Sequence, residues 1–236
     1  MAHLLDNVIW NTLVGPHAVF AAGARGARRY APGFSPIVGF ADQRRPDFEA
    51  LTPWCESGEH LYCSGWDGPV PPGWQVEADT TMCLMVRAPD STRGSIAGTD
   101  DEPGREPGHA RRLQPQHAQQ AMELAQLTRP GPFGLRTIEL GDYFGYFEGE
   151  RLVAMAGERM HVGPFREISG VCTHPDFQGR GMARRLMRRL MELQRARGQV
   201  SFLHVMSANQ GARRLYEDMG FRNYLEPVVR VITMTA

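Results

Sequence analysis

The residues best placed to do chemistry begin with the turn Asp176-Phe177-Gln178-Gly179-Arg180-Gly181. Two glycines in so short a turn let the backbone take dihedrals and close approaches that a Cβ would obstruct. A helix opening directly from such a turn presents unpaired N–H groups and the positive end of its dipole, which together attract phosphate. Gln178, Gly179, Arg180, Gly181, Met182 and Ala183 are therefore a candidate pyrophosphate cradle, with Arg180 adding a charge. The dinucleotide and P-loop signatures do not fit it: no third glycine follows at the required spacing, and no Gly-Lys-Ser/Thr ends the turn. His174 and His204 are candidate bases, although a lone histidine is more often structural.

The elements that must position this turn can be read on either side of it. Ile168, Val171 and Cys172 stand among small residues in a run closed by Pro175, which reads as a strand. After the turn, Met182, Ala183, Leu186, Met187, Leu190, Met191 and Leu193 recur at spacings of three and four with arginines between them. That is a helix with one buried stripe, ended by Gly198. Val200 to Met206 reads as a strand, and Asn209 as the N-cap of a helix whose Ala212, Leu215, Tyr216 and Met219 share a face before Gly220 ends it.

Gln178-x-x-Gly181-x-Ala183, behind Val171-Cys172-Thr173-His174-Pro175, resembles the acyl-CoA loop of the GCN5-related N-acetyltransferase (GNAT) superfamily. Asn209-x-x-Ala212-x-x-Leu215-Tyr216-Glu217-x-x-Gly220-Phe221 resembles the second motif of that superfamily, in the right order. The resemblance covers residues 110 to 236, and the whole chain is similar to FR47-like members. It implies an α/β GNAT fold, a mixed central sheet flanked by helices, with a smaller N-terminal α+β companion region. It also implies acetyl-CoA as co-substrate, no metal, and direct transfer to an amine acceptor, either a small molecule or a peptide N-terminus or lysine. By the same resemblance the backbone of Val171, Cys172 and Thr173 pairs with the pantetheine arm, and Asn209 touches it or is only a cap. Glu167, eleven positions before Gln178, stands where some histone-modifying relatives carry a general base. Partial burial would raise its pKa for that task, whereas a salt-bridged strand-end glutamate is the plain alternative. Tyr216 matches a tyrosine that can protonate the departing thiolate, or it is a core side chain. Cys172, near the expected thioester, reads as packing rather than as an acylated nucleophile.

Composition sets the outer bounds. With 236 residues, 42% of them hydrophobic, the chain can hold one large or two small domains. The balance of 26 Lys+Arg against 26 Asp+Glu gives no whole-molecule field toward nucleic acid or an anionic membrane. The N-terminus lacks the layout of a secretory signal and no run reaches transmembrane length, so a cytoplasmic location is expected. Cys55 and Cys63, with His60 between them, have no zinc-type spacing and are expected to be thiols. Residues 1–88 are expected as the N-terminal companion, with short strands at 61–64 and 74–76 and a better one at 80–86. Residues 89–109, rich in Pro, Gly, Asp and Ser, read as a flexible linker, and 110–236 as the acetyltransferase domain. In the latter, Arg111 to Leu113 reads as a strand and Pro115 to Leu127 as a helix with Ala118, Met122, Ala125 and Leu127 inward. Gly141 to Glu148 and Leu152 to Met160 read as a hairpin about Gly149, and Val228 to Met234 as the last strand.

Two rival readings remain: an acyl-CoA sensor of the same fold without catalysis, and a nucleic-acid binder using the six arginines between Arg184 and Arg197. The sequence leaves a homodimer open.

Overall fold

The computed structural model describes residues 3–88 and 109–235. The expected linker therefore lies, except for His109, outside the described residues. Twelve strands are described: β1 (Ala21–Ala24), β2 (Ala27–Tyr30), β3 (Val38–Phe40), β4 (His60–Ser64), β5 (Trp74–Arg87), β6 (Arg111–Arg112), β7 (Tyr143–Glu148), β8 (Arg151–Val162), β9 (Phe165–Thr173), β10 (Val200–Met206), β11 (Phe221–Leu225) and β12 (Val228–Met234). The helices are α1 (Val8–Val14), the single turn α2 (Phe48–Leu51), α3 (Ala118–Thr128), α4 (Met182–Ala196) and α5 (Gln210–Asp218). The fold is α/β with a mixed central sheet between helices, as expected. Among the described residues no helix is long and apolar enough to cross a membrane.

β1, β2 and β3 form a small antiparallel sheet, and the central sheet runs β4-β12-β5-β10-β9-β8-β7-β6 with β11 also on β5. The expected strands at 74–76 and 80–86 are one 14-residue strand, β5, with β10 on one edge and β12 and β11 sharing the other. Two strands of the expected companion region, β4 and β5, thus belong to the same sheet as the strands that follow residue 110. Gly149, at φ +58°, closes the β7–β8 hairpin where expected.

The two faces of the sheet carry different helices. α4 and α5 cover one face, where Met182, Leu186, Met187, Leu190, Met191, Tyr216 and Met219 pack on Met85, Ile168, Leu203 and Val205. Each fully buried Leu or Met there contributes roughly 1.5–3 kcal/mol relative to leaving it in water. α1 and the N-terminal segment cover the opposite face through Leu5, Ile9 and Leu13 on Leu84, Met160 and Phe202. α3 lies beside them against Tyr143, Met155 and Cys172. Its buried stripe is Ala121, Leu124 and Ala125, and Leu127 is 54% exposed, so the inward face expected for this helix is corrected. Pro115–His117 form a separate 3-10 turn, and the helix proper turns the 121/124/125 row onto the sheet. The C-terminal end of α4 is pinned by polar contacts: fully buried Gln194 donates to Glu158 Oε1 (3.0 Å) and accepts from Ser201 Oγ (2.6 Å), while Arg197 pairs with Asp142. The arginines of this helix face the protein's own groups: Arg185 reaches the Tyr146 hydroxyl (3.3 Å) and Arg189 lies over the Phe144 ring.

Candidate functional site

β9 and β10 are parallel neighbours only at Val200–Phe202 against Phe165–Glu167. Beyond that point each keeps its outer partner, β8 or β5, and the two part. The inner edges of Ile168–Thr173 and Leu203–Met206 therefore carry backbone groups with no strand opposite, which is unusual inside a sheet and suits an extended ligand. A cleft of about 900 Å³ occupies the gap. Its walls include residues 168–173 of β9, the turn 177–181, the start of α4, residues 204–206 of β10, and Asn209, Ala212, Leu215 and Tyr216 of α5. All the sequence-predicted site residues except Glu167 line it.

The turn has the cradle geometry. Gly179 and Gly181 sit at φ +75° and +72°, where only glycine is unstrained, and Gly181 is the N-cap of α4. The N–H groups of residues 179–184 find no acceptor among the described residues; the first in the series to do so is Arg185, which donates to Gly181 O at 3.1 Å. Gln178 Nε2 reaches back to Thr173 O (3.4 Å), and Arg185 donates from Nη2 to Arg180 O (2.8 Å), so the turn is held at both ends. Arg180 stacks on Phe177 and donates to Asp176 O. In β9, a bulge leaves Gly170 and Val171 opposite the single Ala156, with Gly170 at φ +63°. A Cβ at Gly170 would lie 3.2 Å from the Tyr143 ring, so the bend at the cleft wall depends on this glycine.

Glu167 departs from expectation. It is fully buried and its carboxylate is shared among three donors: Arg159 gives Nε to Oε2 (2.9 Å) and Nη2 to Oε1 (2.7 Å), and Met160 N–H donates to Oε2 (3.1 Å). A second bulge, between Glu158 and His161 of β8, turns Arg159 and Met160 onto it. His204 Nδ1 lies 2.7 Å from Oε1. Burial alone would push the carboxyl up, but the Arg159 charge and the His204 and Arg159 hydrogen bonds outweigh it and hold it down, to about 2. The expected rise in pKa is thus corrected to a fall. Arg159 is correspondingly raised, Glu167's charge and hydrogen bonds outweighing the effect of its own burial.

Because an ionised carboxylate can only accept, His204 must carry its proton on Nδ1. Phe202 packs on the α1 face and Leu203 and Val205 on the α4 face, so by strand alternation His204 stands on the α1 face with its ring in the cleft wall. Nε2 is the nitrogen left for a ligand. The sequence offered His204 only as one of two lone histidines; the signal that separates them is Glu167, thirty-seven residues away. His174 is structural, its Nδ1 accepting from Asp176 N–H and its Nε2 2.6 Å from Arg151. The sequence also gave no hint of Arg159 or of the 128–132 loop in the cleft wall.

The remaining candidates separate cleanly. Tyr216 is buried and its hydroxyl pushed up to about 12 by burial, so the phenol is protonated at neutral pH. Asn209 caps α5 by accepting from Ala212 N–H (3.1 Å) and also lines the cleft. Cys172 packs under α3, and burial pushes its thiol up to about 11, so it has little thiolate to react. Cys55, His60 and Cys63 do not converge: Cys63 is core, and His60 pairs with Glu77 at 2.5 Å.

Comparison with known proteins agrees with this geometry. The sequence profile of the FR47-like protein family matches residues 143–231. A crystal structure assigned to the GNAT family as an acetyltransferase, from Novosphingobium aromaticivorans, is 30% identical, with 100% of each chain covered and a TM-score of 0.85. A GCN5-related N-acetyltransferase-like protein from Streptococcus suis shares the fold at 14% identity, with a TM-score of 0.64 over 95% of this chain and 92% of its own. N-alpha-acetyltransferase RimI of Mycobacterium tuberculosis is 40% identical over 83 residues, which are 34% of this chain and 51% of RimI. The chain thus spans about half the length of that curated relative.

Proposed function

The chain belongs to the GNAT family, and on that premise we propose that it transfers the acetyl group of acetyl-CoA directly to a primary amine, with His204 receiving the amine's proton. The observation that carries this reading is the row of unengaged N–H groups at residues 179–184 opening onto the gap between β9 and β10. Those amides and the dipole of α4 would hold the pyrophosphate, and the unpaired inner edge of β9 at Val171, Cys172 and Thr173 would hold the pantetheine arm. Acetyl-CoA supplies the acyl group and a thiolate leaving group.

The remaining work falls to the chain's own side chains. Neutral His204, oriented through Nδ1 by Glu167, takes a proton from the attacking nitrogen on Nε2. Glu167 is then a positioning residue: bound on all sides and held well below the usual carboxylate range, it steadies the imidazolium without reaching the acceptor. An N–H on the free edge of β9 stabilises charge developing on the acyl oxygen. As the nitrogen–carbon bond forms and the carbon–sulfur bond breaks, Tyr216 donates its proton to the departing sulfur. The M. tuberculosis relative is an N-alpha-acetyltransferase, so the α-amino end of a polypeptide belongs with small amines among the proposed acceptors. The test is thiol release from acetyl-CoA in the presence of an amine panel, with donor affinity measured by calorimetry. Tight acetyl-CoA binding with no amine acetylated would replace this reading with that of a sensor.

A further inference from the structure

On the side of the sheet opposite α4, the cleft continues past His204 across the face of four strands, and the pairing registers define that face. His204 pairs with Leu84 and Met206 with Met82; two and four residues along β5 lie Thr80 and Ala78, which pair with Val229 and Val231, and Val231 pairs with Tyr62. Partners in antiparallel strands point to the same side. Tyr62, Ala78, Thr80, Met82, Val229 and Val231 therefore form a continuous platform beside His204, and all six line the cleft. The charged residues of these strands alternate onto the other face, where Arg230 pairs with Asp79 at 2.8 Å.

The charges that do line the cleft are one-sided. They are Arg129, Arg159, Arg180 and Arg184, with His204, and no Asp or Glu is among the lining residues. The one carboxylate close behind the wall, Glu167, is already consumed by Arg159 and His204. An acceptor's reacting amine must lose its charge at His204, and its remaining body would rest on an apolar surface. A second ammonium on that body would lie in the platform with no counter-ion, which is costly for a desolvated charge.

We infer that the platform of β4, β12 and β5 is the acceptor site, and that it takes a primary amine on an apolar body with no second cationic group, excluding polyamines and aminoglycosides. This rests on the transferase reading above and gives the N-terminal strands β4 and β5 the role of selecting the acceptor. An arylalkylamine and a peptide with an apolar N-terminal residue present the same chemistry, and the assay separates them.

The experiment compares kcat/KM for 2-phenylethylamine, a leucine-initiated tetrapeptide, spermidine and kanamycin by thiol release, with acetyl-CoA saturating. At least one of the first two is expected to exceed both polycations by about tenfold or more, and equal or better use of spermidine or kanamycin overturns the inference. Thr80→Asp, which puts a carboxylate on the half-buried platform, is expected to narrow that ratio at least about fivefold; an unchanged ratio places the acceptor elsewhere. Acetyl-CoA calorimetry on the variant confirms that the donor half is intact. Titration of the same amines into protein saturated with coenzyme A reads the platform without turnover. Binding of phenylethylamine but not spermidine, with no acetylation, would sink the transferase reading and keep the platform, whereas equal binding of both would sink the platform.

Discussion

Replacing Glu167 with glutamine tests the buried centre on which the proposed base depends. Glutamine keeps the shape but leaves the Arg159 guanidinium, with a side-chain exposure of 8%, without its counter-charge, and removes the acceptor that fixes His204 Nδ1–H. Breaking one side of a buried ion pair typically costs about 3–5 kcal/mol. The carboxyl's own titration gives a similar size: an ordinary pKa of 4.5 against about 2 in the folded protein, at about 1.4 kcal/mol per pKa unit, corresponds to about 3 kcal/mol. The folded value lies below the unfolded one, so this stabilisation is fully present above about pH 4.5 and is lost as pH falls toward 2. Urea unfolding of wild type and Glu167→Gln from pH 7 to pH 3 should show a gap of about 3 kcal/mol at neutral pH. The gap should shrink steadily below pH 4.5, because a protonated Glu167 presents much what the glutamine does. A gap under about 1 kcal/mol at pH 7, or one that does not change with pH, would refute the argument that Glu167 is an ionised, paired carboxylate.

Other substitutions separate donor binding, proton transfer and packing. His204→Gln should lower kcat roughly a hundredfold at neutral pH and flatten the acidic limb of the pH–rate profile, with acetyl-CoA affinity within about twofold of wild type; a retained profile moves the base elsewhere. Gly181→Asp, which adds a negative charge and a strained φ of +72° at the mouth of α4, should weaken acetyl-CoA binding by about tenfold or more in calorimetry while circular dichroism stays native. Tyr216→Phe should reduce kcat by about tenfold with stability within about 0.5 kcal/mol, since its hydroxyl makes no hydrogen bond among the described residues; an undiminished kcat returns Tyr216 to the core. Cys172→Ala should keep kcat within about threefold, and an acyl-protein adduct lost in that variant would reinstate a covalent step.

What the sequence by itself determined is what short-range spacing controls. The turn from Gln178 to Gly181, the 15-residue α4 and its apolar stripe, the Asn209 cap and the Gly149 hairpin depend on residues within a few positions of one another, and each stands where periodicity and turn chemistry put it. The tertiary structure decided whatever depends on partners remote in the chain. β1, β2 and β3 are short, and their alanines, glycines and arginines carry no alternating signal; they exist because they pair. The single strand β5 joins the sheet between β12 and β10, more than a hundred residues away in sequence, and so brings the platform up to His204. Glu167 gives the same lesson in charge. Its position marked it as a carboxylate to watch, but Arg159 on one neighbouring strand and His204 on the other set its pKa and its role, because electrostatic environment depends on distance in space and not along the chain.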